Sequence, residues 1–183
     1  LGKLELSDAE KEAYIEGVKA ALDGESVGVT NPRQVQSKAQ EFMTKRIQTI
    51  TVANKAEGKT FLEEIAEKPG VQKTESGLLY EIIEPGEGPH ATTKDSVRVN
   101  YRGTLINGKE FDSSYKRGQT AVFPVSAVVK GFGEGVQLVG NGGKIKLYFP
   151  SDLGYGDEFN PVSDIPPGST LIFEVEMIDT NAQ

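Results

Sequence analysis

Residues 97–114 read VRVNYRGTLINGKEFDSS. Val97, Val99 and Tyr101 alternate with Arg98, Asn100 and Arg102, the period-two pattern of a strand with one buried face. Asn107-Gly108 then predicts a type I′ hairpin, because both residues tolerate positive φ. Phe111 and Asp112 follow on the returning side. An aromatic strand and a Phe-Asp pair around a tight turn can build a small apolar pocket with polar groups at its edge. Such a pocket can hold a small ring without any covalent step.

The alternation continues outward from this hairpin. Leu78 to Ile83 reads as a strand closed by Pro85-Gly86, and Ala121 to Val125 as another short strand. Val128 to Leu138 carries Val128, Val129, Phe132 and Val136 at spacings that suit a short helix, despite its glycines. Asn141-Gly142 marks a turn. Lys144 to Phe149 places Ile145, Leu147 and Phe149 on one side, and Ser169 to Asp179 does the same with Leu171, Phe173, Val175 and Met177. The pattern predicts an α+β domain, an antiparallel sheet curled around one short helix. No internal repeat is present.

The N-terminal part has a different character. Three of the fourteen aromatic residues, Tyr14, Phe42 and Phe61, precede residue 77. Ser7 and Glu10 form a capping-box pattern. Ile15, Val18 and Leu22 follow as an apolar stripe, and Gly24 stops it. Asn31-Pro32 opens a second helix, with Asn as cap and Pro where its missing N–H costs nothing. Val35, Ala39, Phe42, Met43, Ile47, Ile50 and Ala53 recur at helical spacing, and no proline intervenes before Pro69-Gly70. A continuous helix to about Lys68 would be about 55 Å long at 1.5 Å per residue. Gly58 and the Thr51-Val52 pair weaken it without breaking it. One short companion helix cannot cover so long a stripe. It packs either on a second copy of the chain or on its own C-terminal domain, and its length favours the second copy. The residues up to Ser76 are polar and serve as a connector.

Composition narrows the chemistry. The 183-residue chain carries a net charge of −7, with no cysteine, no tryptophan and one histidine. Disulfides and thiolate catalysis are excluded, and aromatics, carboxylates and backbone groups remain. The lack of clustered cations argues against nucleic acid as partner. No apolar run approaches the ~20 residues that span a bilayer, and no secretory signal is visible.

Four segments carry a resemblance: NYRGTLINGKEFDSSYKRG (100–118), VVKGFGEGVQL (128–138), FPSDLGYG (149–156) and IPPGSTLIFEVEM (165–177). In this order and spacing the stretch from Thr74 to Asp179 resembles an FKBP-type peptidyl-prolyl cis-trans isomerase domain. The long helix running into ANKAEGKTFLEE (53–64) resembles, more loosely, the dimerisation arm of the bacterial Mip/FkpA subgroup. The implied organisation is a helical dimerisation and client-binding arm over residues 1–73 and an isomerase domain over 74–183. The arm looks shortened at its start. The subgroup usually carries further helical sequence at that point, and the chain begins at Leu1 rather than Met. The resemblance also implies a homodimer, proline-containing unfolded proteins as substrates, macrolides as possible inhibitors, and a periplasmic or outer-membrane-associated location.

Residue by residue, the resemblance makes Tyr101, Phe111, Phe132 and Phe173 the lining of a proline pocket, with Phe123 among the substrate-binding residues. Val128 and Val129 form one wall, Val129 offering its backbone N–H. Tyr155 donates its hydroxyl to a substrate carbonyl. Asp112 accepts hydrogen bonds near Tyr101, Arg117 pairs with it, and Ile165 lies at the rim. By spacing alone the same residues have plainer readings. Tyr101 and Phe173 fit core positions, Val128 and Val129 fit a helix start, Asp112 fits a turn cap, and Arg117 fits a solvated surface. His90, in a polar loop, reads as structural.

Three positions depart from the family pattern. Phe132 stands where the family usually has a tryptophan, so a deeper or looser pocket is expected. Ala121 stands where single-domain members have an aromatic. Asp157, Glu158 and Asp164 make an acidic loop where many members are more apolar.

The expected chemistry follows from the amide. Cis-trans crossing of X-Pro has a barrier of about 20 kcal/mol set by amide resonance. Water stabilises the charge-separated planar amide more than the twisted one. A dry aromatic pocket removes part of that stabilisation and can bind the twisted form better. No metal or cofactor is required. The alternative is a weakly catalytic or non-catalytic chaperone or partner-binding module on the same fold.

Overall fold

The long C-terminal strand of the sequence lies at the centre of an antiparallel sheet. The computed structural model describes residues 7–23, 32–160 and 163–182. The expected helix stop at Gly24, the cap at Asn31, the side chain of Val35 and two residues of the acidic loop, 161 and 162, lie outside the described residues. The elements run α1 (Asp8–Leu22), α2 (Pro32–Ala66), β1 (Val71–Lys73), β2 (Leu79–Glu84), β3 (Ser96–Leu105), β4 (Glu110–Ser113), α3 (Ser114–Arg117), β5 (Ala121–Pro124), α4 (Lys130–Val136), β6 (Lys144–Phe149) and β7 (Leu171–Asp179). They form two compact units, residues 1–50 and 51–183, so the unit boundary falls inside α2.

In the first unit, the capping box at Ser7 closes as expected. The Ser7 N–H and hydroxyl both donate to Glu10 Oε2 at 2.7 Å, and the Glu10 N–H donates to Ser7 Oγ at 3.3 Å. Arg46 reaches Glu10 at 3.4 Å. Tyr14, Ile15, Val18 and Phe42 stay exposed.

The second unit is an antiparallel sheet in the order β1-β2-β6-β7-β3-β4, with β5 also paired to β3. Strand β7 is central: Val175 faces Ile145 on β6 and Tyr101 on β3, and Phe173 faces Leu147 and Gly103. Alternate residues of these strands point into the core, where Ile145, Leu147, Phe149 and Leu171 are almost wholly buried. Each such side chain contributes about 1.5–3 kcal/mol. Helix α4 fills the curl of the sheet. Its glycines explain how it sits there: a Cβ on Gly131 would lie 2.5 Å from the Phe149 ring, and one on Gly135 2.4 Å from Leu147.

Two expectations are corrected. Residues 71–73, read as part of a polar connector, form β1 against Leu79–Glu81. The 107–108 turn is not a two-residue type I′ loop. The Gly108 N–H donates to Leu105 O at 2.9 Å, and the Leu105 N–H donates to Lys109 O at 2.9 Å. This is a three-residue loop with Gly108 in the left-handed position, φ 80°. The Lys109 N–H bonds Asn107 Oδ1 at 3.0 Å, so the asparagine supports the loop through its side chain.

Helix α2 runs unbroken through Thr51, Val52 and Gly58. Beyond the Val35–Ala53 stripe, the C-terminal part of the helix packs on its own sheet. Phe61, Leu62 and Ile65 pack with Leu79, Tyr148 and Ile172, the Phe61 and Tyr148 rings lying 6.3 Å apart. Among the described residues no helix is long and apolar enough to cross a membrane.

Candidate functional site

A cavity of about 270 Å³ opens where α4 crosses the sheet, lined by Tyr101, Asp112, Phe123, Ala127, Val128, Val129, Phe132, Tyr155 and Phe173. Seven elements and connections supply them. Tyr101 comes from mid-β3, Asp112 from β4, Phe123 from β5 and Phe173 from β7. Ala127, Val128 and Val129 come from the link into α4, Phe132 from α4 itself, and Tyr155 from the turn after β6. The rings of Tyr101, Phe123, Phe132 and Phe173 pack edge-on or tilted with centroids 5.1–6.2 Å apart. Such edge-to-face contacts fix ring orientation beyond simple burial. Phe132 is 3% exposed and touches the other three rings.

Tyr101 and Asp112 meet at the polar edge. The Tyr101 hydroxyl donates to Asp112 Oδ2 at 2.5 Å, and Arg117 Nη2 donates to the same hydroxyl at 2.7 Å. Arg117 Nη1 donates to Asp112 Oδ1, and that oxygen also accepts the Ser113 N–H at 2.8 Å. The Arg117 guanidinium carbon lies 5.4 Å from the Tyr101 ring centre. The cap of α3 is Ser113, whose side chain accepts from the Lys116 N–H. Asp112 is therefore left to Tyr101 and Arg117, apart from its bond to the next amide.

Three sequence candidates stand outside the lining. Phe111 supports it from behind, its ring 5.5 Å from Phe173 in a T-shaped contact. Ile165 packs half-buried on the core, its N–H on Ser163 Oγ at 3.1 Å. Arg117 stands beside the lining, donating to Asp112 and Tyr101. Ala127 and Ser114 were not candidates. Ser114 is fully buried and its Oγ accepts the Tyr101 N–H at 2.9 Å, holding the strand where Tyr101 turns inward. No pattern in the sequence distinguishes it from its neighbour Ser113. His90 lies apart from the cavity, its Nδ1 3.0 Å from Gln137 O. Among the described residues no cluster of carboxylates and histidine could hold a metal ion.

Residues 88–178 match the family model for FKBP-type peptidyl-prolyl cis-trans isomerase, and residues 2–82 that for the domain amino-terminal to it. The FKBP-type 22 kDa peptidyl-prolyl cis-trans isomerase of Escherichia coli is 41% identical over 174 residues, covering 92% of this chain and 82% of the relative. The chain belongs to the FKBP family. The FKBP-type isomerase FkpA of Escherichia coli is 40% identical over 177 residues, covering 97% of this chain, which spans 58% of that relative's length. The FkpA crystal structure superposes with a TM-score of 0.75 at 37% identity, over 97% of this chain and 84% of that one.

The electrostatics of this FKBP cavity are set by one charge. Burial works against ionisation of Asp112, but the hydrogen bonds from Tyr101 and Arg117 together outweigh it and hold the carboxyl below the usual range. Burial, and then the Asp112 hydrogen bond, push the Tyr101 phenol up to about 12. Burial also raises the Tyr155 phenol, with Asp112 adding to it. At neutral pH both tyrosines are donors, and Asp112 is an anion already paired. The cavity thus combines apolar walls with a few fixed polar groups on one side.

Proposed function

We propose that this chain is a peptidyl-prolyl cis-trans isomerase acting on X-Pro bonds of unfolded or partly folded proteins, by a non-covalent mechanism. The observation that carries the reading is the 270 Å³ aromatic cavity with Asp112 and Tyr155 on its lining, within a chain of the FKBP family. The pyrrolidine ring enters between Tyr101, Phe123, Phe132 and Phe173. Tyr155 donates to a substrate carbonyl and Val129 offers its backbone N–H. Water is excluded around the twisting amide, and the planar form loses the solvation that favoured it. Asp112, with its lone pairs partly engaged by Tyr101 and Arg117, orients the polar edge toward the twisting carbonyl. Phe111 and Ile165 shape the wall and rim.

The test is the refolding of a protein limited by proline isomerisation. The chain should accelerate the slow phase. Tyr155→Phe and Asp112→Ala should each reduce kcat/KM by about tenfold, the equivalent of one hydrogen bond of about 1.4 kcal/mol. No acceleration by the unmodified chain would refute the reading.

We further propose that the helical first unit makes a homodimer able to hold a client, as the likeness to FkpA supports. Exposed Tyr14, Ile15, Val18 and Phe42 supply the apolar surface. Light scattering at tens of micromolar should give twice the chain mass. A periplasmic or outer-membrane-associated location and macrolide binding at the same cavity belong to this proposal too.

A further inference from the structure

One face of α2 reaches residues 167–170 and the 152–157 turn that carries Tyr155, through Thr51, Asn54, Lys55 and Gly58, at the i, i+3, i+4, i+7 spacing of a single helical face. A Cβ on Gly168 would lie 2.7 Å from Thr51 O, and one on Gly58 2.1 Å from Thr170 Oγ1. Asn54 Nδ2 donates to Pro167 O at 2.8 Å. These contacts fix residues 167–170, just after Ile165. Lys55 then turns to the other segment. Its ammonium donates to Asp152 Oδ1 at 3.1 Å and to Asp157 Oδ2 at 2.7 Å. Those carboxylates bracket Tyr155. The segment is closed by the Gly156 N–H on Ser151 O at 2.9 Å, by Ser151 Oγ on Asp157 Oδ1 at 3.2 Å, and by the Gly168 N–H on Gly156 O at 3.0 Å.

We propose that Lys55 is a positioning residue of the isomerase site, holding the Asp152–Asp157 turn so that Tyr155 stands over the cavity. The functional half of this inference rests on the isomerase reading above. Tyr155 lies between two glycines and is 56% exposed, so its own packing restrains it weakly. Exposed ion pairs add little to global stability, yet one ammonium shared by two carboxylates on either side of a short turn restricts that turn's shape. Asp157 first, and then Asp152, raise the Lys55 ammonium above its ordinary value, so the ammonium stays charged throughout the physiological range. It also gives Asp157, the first residue of the acidic loop, a structural task distinct from contacting substrate.

The experiment uses the full 183-residue chain with Lys55→Met, Lys55→Arg, Tyr155→Phe and the Lys55→Met/Tyr155→Phe double variant. Isomerase kcat/KM is measured on a short X-Pro peptide, and amide hydrogen exchange on residues 151–157. Lys55→Met should lower kcat/KM by about tenfold, the cost of a loosely held catalytic group, and Lys55→Arg should restore most of it. In the Tyr155→Phe background the same change should have little further effect, because the group it positions is already gone. Exchange at the Gly154 and Gly156 amides should speed up in Lys55→Met alone of the two single Lys55 variants. Unchanged exchange, or an activity loss that persists in full without the Tyr155 hydroxyl, overturns the proposal. If the unmodified chain shows no isomerase activity, the functional reading fails with the activity half of this inference, while the exchange data still decide whether Lys55 holds the turn.

Discussion

At the residue scale, the site turns on Asp112 and its two side-chain donors. The carboxyl is shared by Tyr101 and Arg117, and its pKa is lowered in the folded chain. The stability from this pairing is therefore fully present above the unfolded value of about 3.9. It is lost as pH falls through the lower folded value. Tyr101 is raised to about 12, so the stability from its neutral phenol holds below about pH 10 and fades as pH climbs toward the folded value. Nothing on the cavity lining changes charge between these limits, and the single histidine lies elsewhere. Isomerase kcat/KM should accordingly be flat from about pH 5 to 9, measured on a short X-Pro peptide. A bell-shaped profile centred near 7 would contradict this assignment of charges.

At the element scale, α4 shows a conflict between propensity and packing. Gly131 and Gly135 disfavour a helix, each by about 1 kcal/mol relative to Ala. They persist because the Phe149 ring and Leu147 occupy the space a Cβ would need. Gly131→Ala should therefore destabilise the chain by about 1–3 kcal/mol despite its better helix propensity, the ordinary cost of overpacking. Urea titration would read it as a lowered midpoint at unchanged slope. Phe132→Ala should cost about 3–5 kcal/mol as a large-to-small core change, and should remove one of the four rings that line the cavity. Most strands were legible because a half-buried strand has a period of two, as in Val97-Val99-Tyr101 and Leu171-Phe173-Val175-Met177. Strand β1 was not, because only Val71 among its three residues is apolar and no period fits in so short a run. The 107–108 loop showed its hairpin but not its length, because Asn-Gly suits either turn and strand register decides between them.

At the scale of the whole molecule, the long helix serves two units. Residues 51–66 of it fall in the unit of the sheet and the earlier part in that of α1. Phe61, Leu62 and Ile65 close the outer face over Leu79 and Tyr148. A fragment of residues 51–183 should therefore keep most of the sheet's thermal stability. One of residues 74–183, cut at the boundary implied by resemblance, should lose several kcal/mol, at about 1.5–3 kcal/mol for each apolar side chain uncovered. Thermal melts of the two fragments decide the matter, and an equal Tm would show that the helix end adds nothing.

The sequence by itself determined the α+β architecture, the α2 helix, most strands and the aromatic character of the cavity. Hydrophobic period and turn chemistry are local properties that a chain displays in any conformation. The resemblance of its four segments to FKBP domains brought forward Tyr101, Asp112, Phe123, Val128, Val129, Phe132, Tyr155 and Phe173, which the fold gathers around one cavity. Only the tertiary structure decided that Phe111 and Ile165 stand outside that lining, that Ser113 rather than Asp112 caps α3, and that Ser114 anchors Tyr101. It alone brought Lys55 to carboxylates roughly a hundred positions away. These are contacts between segments distant along the chain, made by small or charged residues whose local patterns fit a solvated surface equally well, and register and packing choose among such alternatives.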